Sequence, residues 1–407
     1  MNKWLIILLS LLCIDADAQQ ALYSKKLVLS ERNFADSIGI EWERNQVYVP
    51  VQINGRNYRF LLDTGAAQSV VYADTPIDGC QAAGYIRSHD ATGAMDTVPM
   101  VILPPMTLGR LTISSCQATI QQRPLRMPGV DGILGFNLIN SGLLAKIDVH
   151  RRLLIITDRK KQFKEEKGID MPYKLRYHVP YLDVNPFGRY HEMTLFDTGS
   201  RHLYVMNRTS FNRCADMTGS LIDSQVEGRS MGRHAIGHFG VEPLNEVVFL
   251  CLSNLHVGRY TLHNLHTLTS QGESHLGAQL LTYGAMIINP NKKRITLLPY
   301  NGQQADSVNN RQLDIAFVSE LGRPCVGLVW EQSEPYRLGF RQGDIITKIN
   351  DSIVRDFSQF ISWPFIIGRE YRFTVRGLHG ETKEIRWVRI KNFEISSTVL
   401  KTTKKER

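Results

Sequence analysis

This sequence predicts a mainly β chain made of two similar lobes followed by a small α+β unit. Three observations lead there. Apolar residues alternate with a period of two through almost every segment, while helical periodicity is scarce. Gly and Pro punctuate the chain at short intervals, as turns between short strands require. The segment 46–160 is echoed, landmark by landmark, in the segment 171–300.

In chain order, the first element is a leader. Lys3 precedes an apolar run from Trp4 to Ile14, and Ala16-Asp17-Ala18 supplies an A-x-A cleavage site. Residues 1–18 are therefore expected to be a signal peptide, and the protein to be exported: periplasmic, envelope-associated or secreted. The run is too short to span a bilayer, and no later segment is apolar for long enough. Cys13 raises lipidation, but Leu12 stands where a small residue is expected, and the better cleavage site lies beyond. Residues 19–45 form an N-terminal segment of no assigned structure.

The first lobe, 46–160, opens with "VYVPVQINGRNYRFLLDTGAAQSVVY", which reads as strand, Asn54-Gly55 turn, strand. That second strand ends in Asp63-Thr64-Gly65. Gly132-Ile133-Leu134-Gly135 follows later, with a short helix expected from Asn137 and a closing hairpin from Ala145. A charged stretch, Asp158 to Asp170, leads to the second lobe. There "HVPYLDVNPFGRYHEMTLFDTGSRHLYV" repeats the hairpin and ends in Asp197-Thr198-Gly199. His275-Leu276-Gly277 stands for the Leu-Gly element, and a closing hairpin starts at Ala285. "TLGRLTI" at Thr107 and "HVGRYTL" at His256 also correspond, and Cys80 and Cys214 each lie 17 residues past their aspartate. Past Pro299 a polar linker, Gln303 to Arg311, reaches the α+β unit, 312–396. A basic tail follows Leu400.

At 407 residues, 43% hydrophobic and 21% charged, the composition is that of an ordinary globular protein with room for more than one core. The formal net charge of +9 rises to +10 once the leader's one Lys and two Asp are removed. Lys and Arg are scattered, with short clusters at Arg159–Lys167 and Lys401–Arg407, and no aromatic-interleaved basic stripe. That pattern is a solvated surface and does not point to nucleic acid. The 12 His are dispersed without an HExxH spacing, so neither a metal nor another cofactor is expected.

Two aspartates, each delivered to a tight turn by an apolar strand, suit hydrolysis without a metal or covalent intermediate. At close range two carboxylates repel and share one proton, so one can act as base toward a water and the other as acid. The threonines, Thr64 and Thr198, offer hydroxyls to brace the two loops against each other. The glycines, Gly65 and Gly199, let the backbone approach and give N–H groups to the carboxylates. Asp-Thr-Gly alone is also a common turn. Two copies, preceded by Leu61-Leu62 and Leu195-Phe196 and each followed by a Leu-Gly element, are what carry the reading.

On these residues, "FLLDTGAAQSVV" with "DGILGFNLI" resembles the retropepsin-like aspartic proteases, and "LFDTGSRHLYV" with "HLGAQLL" resembles a more divergent copy. The resemblance implies two barrel-like β lobes forming one bilobal aspartic protease, with both halves in one chain as in pepsin-like enzymes. It implies Asp63 and Asp197 as the catalytic pair and an aspartic endopeptidase acting on peptides or proteins. It implies Thr64, Gly65, Thr198 and Gly199 as loop support, and a β-hairpin flap, placed by position at Tyr85 to Pro99 with Gly93. Departures are His275 where the first lobe has Ile133, and Arg201 and His202 just after the second motif, which bring positive charge. The C-terminal "YRLGFRQGDIITKIND" resembles bacterial PDZ domains. Its peptide-receiving strand would be Asp314 to Phe317, a module for capture by strand addition or for packing. The competing reading is a non-catalytic peptide-binding envelope protein with a vestigial protease fold, and a lost aspartate would have favoured it.

Five cysteines remain after the leader. With two in each lobe of an exported protein, Cys80–Cys116 and Cys214–Cys251 bridges are expected, leaving Cys325 as a thiol. A monomer is consistent with both aspartates lying in one chain.

Overall fold

The computed structural model describes residues 27–90, 92–124, 127, 129–237, 239–308, 313–366, 368–387 and 393–394. The expected leader, Cys13 and the basic tail lie outside these residues. Strands dominate the described chain and fall into three sheets.

The first sheet carries the first Asp-Thr-Gly loop. Gln46–Ile53 and Arg56–Asp63 pair antiparallel across the Asn54-Gly55 turn, whose residues adopt φ of 51° and 75°. Both values are positive, the geometry an Asn-Gly hairpin turn favours. Gly132–Gly135 then inserts beside Arg56–Asp63 in parallel, Leu134 opposite Leu62 and Gly135 opposite Asp63, and pairs antiparallel with Ser69–Tyr72. The expected helix follows at Phe136–Asn140. A long hairpin, Gln81–His89 with Met95–Ile102, extends from this sheet over the expected flap, with Gly93 in its turn at φ 82°.

The second lobe repeats the arrangement. Val179–Phe187 and Tyr190–Asp197 pair antiparallel, and His275–Gly277 lies parallel to Tyr190–Asp197, with Gly277 opposite Asp197. It also pairs antiparallel with Tyr204–Asn207. A second hairpin, Val226–Gly232 with Asn245–Val257, stands where the first lobe has its long hairpin, and Tyr260–Ser270 flanks it.

The closing hairpins do not stay within their lobes. Leu144–Asp148 pairs with Gly284–Asn289, so the two hairpins merge into one sheet beneath both lobes. Ala35–Gly39, from the unassigned N-terminal segment, joins its edge through Leu153–Thr157, and Ile169–Arg176 borders the other end through Arg294–Pro299. The paired backbones bury Ile147, Leu154, Ile156, Met286, Ile288, Ile295 and Leu297 in a core continuous with both lobes. Part of the expected linker is also ordered, since Ala305–Ser307 adds a parallel strand to Tyr260–Ser270 and Asp306 accepts a hydrogen bond from the Tyr260 hydroxyl at 2.5 Å.

The third sheet holds the C-terminal unit, with helices Glu334–Leu338 and Phe357–Ile361 and a core rich in Phe317, Phe340, Phe360, Phe365, Phe373 and Trp387. Gly339 ends the first helix at φ 112°, and Phe340 is fully buried, so Leu338-Gly339-Phe340 is a helix terminus. Ile315–Glu320, which takes up most of the expected peptide-receiving strand, pairs with Arg323–Val329 and, on its other edge, with Phe393–Glu394. The unit packs onto the second lobe. Leu313, Ala316, Leu328 and Trp330 share an apolar cluster with Val247, Phe249 and Leu268. Arg233 N–H donates to the Gly327 carbonyl at 2.9 Å, and its side chain pairs with Glu320.

The expected disulfides are absent: no bridge joins Cys80, Cys116, Cys214, Cys251 or Cys325. Strand alternation explains the second pair. Leu250 and Leu252 point into the main core with Cys214, so Cys251 between them points to the opposite face of the sheet. In the first lobe Cys116 is fully buried, its thiol 3.9 Å from the Ser69 hydroxyl and 3.8 Å from the Gln117 carbonyl. Cys80 is half-buried at the edge of that core.

Candidate active site

The two Asp-Thr-Gly loops meet, which the sequence proposed but could not measure. Each threonine hydroxyl crosses to the other loop. Thr64 Oγ1 donates to the Phe196 carbonyl at 2.6 Å and accepts from Thr198 N–H at 3.0 Å. Thr198 Oγ1 donates to the Leu62 carbonyl at 2.8 Å and accepts from Thr64 N–H at 3.0 Å. Both threonines are fully buried, so these four bonds also satisfy backbone groups that no water reaches.

Above this brace stand the carboxylates. Asp63 Oδ1 accepts from Gly65 N–H at 2.8 Å and Ala66 N–H at 3.1 Å. Asp197 Oδ1 accepts from Gly199 N–H at 2.9 Å and Ser200 N–H at 3.2 Å. The aspartates hydrogen-bond each other through their side chains. Each also lies on the opposite loop's glycine: a Cβ on Gly199 would sit 2.4 Å from Asp63 Oδ2, and one on Gly65 2.7 Å from Asp197 Oδ1. No residue with a side chain fits at either place. Both aspartates are half-buried. Burial pushes the Asp197 carboxyl above the ordinary carboxylate range, against the bonds from Asp63, Gly199 and Ser200 and the nearby charge of His202.

The Leu-Gly strands form the floor. A Cβ on Gly135 would meet the Gln68 backbone at 2.4 Å, and one on Gly277 the His202 carbonyl at 2.1 Å, so both glycines let the chain after each loop pass directly over the strand. In the first lobe, Ser69 Oγ accepts from Gly135 N–H at 3.1 Å, and Asn137 ties Gln68 Oε1 and the Gln117 carbonyl at 3.0 and 2.9 Å. In the second, His275 donates from Nδ1 to the Glu273 carbonyl at 3.0 Å, and burial with neighbouring His202 and His234 pulls its pKa down to about 4. His275 is therefore neutral near pH 7, hydrogen-bonded to backbone.

The sequence placed Arg201 and His202 together as positive charge near the aspartates. The charge of His202 does bear on Asp197, while Arg201 Nε donates to Gln46 Oε1 at 2.7 Å. Gln46 itself went unnoticed. It is buried at the start of an apolar strand, and its Nε2 donates to the Gly199 carbonyl at 2.7 Å, fastening the first lobe to the second loop. A polar residue leading "QVYVPV" was the available signal. Next to Asp63, an apolar patch of Tyr48, Leu61, Val70, Tyr72, Val130 and Ile133 faces away from the main core. The Tyr72 phenol is pushed upward by its burial and by the Asp63 charge.

The long first-lobe hairpin reaches the second lobe at its tip. Asp90 Oδ1 closes the turn on Thr92 and Ala94, while Oδ2 accepts from Phe239 N–H at 2.7 Å. The loop it touches is held by Glu242, fully buried, which accepts from the N–H groups of His234, Ala235 and Gln271 at 2.8, 2.9 and 3.1 Å. A cavity of about 470 Å³ lies elsewhere, against the shared sheet, among Lys160, Lys164, Lys167, Lys292 and Arg294.

No curated protein matches the sequence. Among solved structures, the chain is similar to an aspartic proteinase from Irpex lacteus, at 15% identity over 65% of this chain and 97% of that one, with a TM-score of 0.40. It is also similar to basic 7S globulin from soybean, at 11% identity over 65% of this chain and 94% of that one, with a TM-score of 0.39. Residues 49–138, which hold the first Asp-Thr-Gly loop and its Leu-Gly strand, match the aspartyl protease family model, so this part of the chain is aspartyl-protease-like.

Proposed function

We propose that the protein is an exported aspartic endopeptidase in which Asp63 and Asp197 activate a water between them. The observation that carries this reading is the reciprocal packing of each carboxylate on the other loop's glycine, over a brace of four buried threonine bonds. Two carboxylates so close cannot both ionise, and the upward push on Asp197 is the expected sign of a shared proton. One carboxylate takes a proton from the water as its oxygen attacks the scissile carbonyl carbon. The other gives its proton to the carbonyl oxygen. The resulting tetrahedral species collapses as the amide nitrogen is protonated and the C–N bond breaks.

An extended peptide would lie beneath the Gln81–His89 and Met95–Ile102 hairpin, with an apolar side chain against the patch around Tyr48, Leu61 and Ile133. The C-terminal unit is read as a PDZ-like module that positions substrate. Its expected receiving strand already has a partner on both edges, which favours packing over strand addition. Export rests on the leader sequence alone.

The test is cleavage of a random peptide library by the purified protein, with and without a peptide mimic carrying a hydroxyl at the tetrahedral carbon. Cleavage blocked by the mimic supports the reading. A folded protein that binds the mimic but cuts nothing supports the vestigial, peptide-binding alternative.

A further inference from the structure

The second-lobe hairpin brings together three side chains that the dyad does not use. Cys251 on Asn245–Val257 and His266 on Tyr260–Ser270 are direct cross-strand partners, so their side chains emerge on the same face. Glu227, from Val226–Gly232 on the other side of the Cys251 strand, sits at a register shift between Val226 and Gly228. Its carboxylate reaches over to His266 Nδ1 at 2.7 Å. The Cys251 sulfur lies 3.9 Å from His266 Nε2, and one ligand atom from each residue falls within 4.8 Å of the others. All three are half-buried.

We propose that these residues form a binding site for a thiophilic divalent cation of the zinc class. The Cys251 thiolate and His266 Nε2 are the ligands, Glu227 holds the imidazole, and water completes the shell. A carboxylate only accepts, so Nδ1 carries the proton and Nε2 keeps its lone pair toward the sulfur. A carboxylate on the far nitrogen is the usual support of a metal-bound histidine. Zn–S and Zn–N bonds of about 2.3 and 2.0 Å at a tetrahedral angle set sulfur and nitrogen about 3.5 Å apart. The observed 3.9 Å is long for a sulfur hydrogen bond and needs only a small contraction to hold the ion. Thiolate, carboxylate and dication sum to zero charge, which suits a half-buried site. Imidazole with thiolate selects zinc or copper over magnesium or calcium.

The other cysteines lack this setting. Burial pushes the thiols of Cys116, Cys214 and Cys325 up to about 11, and raises that of Cys80. The site lies beside the docked C-terminal unit. Phe249, two residues before Cys251, and Leu268, two after His266, pack against Trp330 and Leu328. A bound ion would pin three strands together at that junction.

Cobalt(II) and zinc(II) titration of the reduced, metal-free protein tests this. One cobalt per chain is expected, with a thiolate-to-cobalt charge-transfer band that zinc bleaches. Cys251→Ser should abolish the band, and Glu227→Gln should weaken affinity roughly 10- to 100-fold. Zinc should slow alkylation of Cys251, read by peptide mass, and leave half-buried Cys80 unaffected. Absence of the band, or its survival in Cys251→Ser, overturns the proposal. If that variant does not fold, alkylation of the unaltered protein decides: Cys251 labelled equally fast in saturating zinc overturns it.

Discussion

Replacing Thr64 with Val removes one hydroxyl and keeps the shape. That hydroxyl donates to the Phe196 carbonyl at 2.6 Å and accepts from Thr198 N–H at 3.0 Å, at a fully buried position. Val leaves one buried acceptor and one buried donor unpaired. At about 1–3 kcal/mol each, the expected loss is about 2–6 kcal/mol, read as a lower urea midpoint. Thr64→Ser keeps both bonds and gives up only a methyl, about 1 kcal/mol. Thr198→Val breaks the other two bonds of the brace, so the pair of valine substitutions should be non-additive, with a coupling of about 0.5–3 kcal/mol. Function should respond more steeply. The brace sets where Asp63 and Asp197 stand, and a displacement near 1 Å costs on the order of 100-fold in kcat. Peptide turnover should therefore fall about that far in Thr64→Val, with KM little changed and Thr64→Ser near normal. A Thr64→Val protein within about 0.5 kcal/mol of the parent and turning over normally would refute the claim that these hydroxyls hold the dyad.

Asp63→Asn and Asp197→Asn should each lower turnover by roughly 100- to 10,000-fold, and the double variant little further, because the two act as one unit. The Asp197 pKa is raised on folding, so its favourable contribution is present at low pH and is lost as pH rises through the folded value. Asp197→Asn should therefore unfold at higher urea than the parent near pH 7, with the gain vanishing near pH 3. His275 shows the opposite sign. Its folded pKa of about 4 lies below the ordinary 6.5, so stability is lost as pH falls from 6.5 toward 4, and His275→Ile should flatten that slope in pH-dependent urea unfolding. Asp90→Ala should free the hairpin tip, seen as faster amide exchange across Gln81–Ile102 and at Phe239, with KM raised; unchanged exchange would discard the tip contact as a restraint. A chain ending at Val308 uncovers Val247, Phe249 and Leu268, each worth about 1.5–3 kcal/mol of burial. Self-association in light scattering, or a lower urea midpoint, is expected; an unchanged, monomeric product would show that the junction contributes nothing.

Local pattern alone determined the mainly β character, the Asn54-Gly55 hairpin and the short helix after Gly135. These follow from alternation, turn chemistry and repetition, which act over a few residues and leave their mark in order along the chain. Tertiary structure alone decided the rest. The merging of the closing hairpins into one sheet, through Ala145 opposite Ile288, depends on how two lobes dock, and strand edges do not name their partners in sequence. The failure of the expected Cys214–Cys251 bridge turns on which face of the sheet each sulfur takes, a parity set by the register of Asn245–Val257. Gln46 bonding the second loop, Asp90 meeting Phe239, and Glu227 crossing a strand to His266 span 153, 149 and 39 residues. Contacts at such separations are made by the shape of the whole chain, because no local preference of either partner records the other.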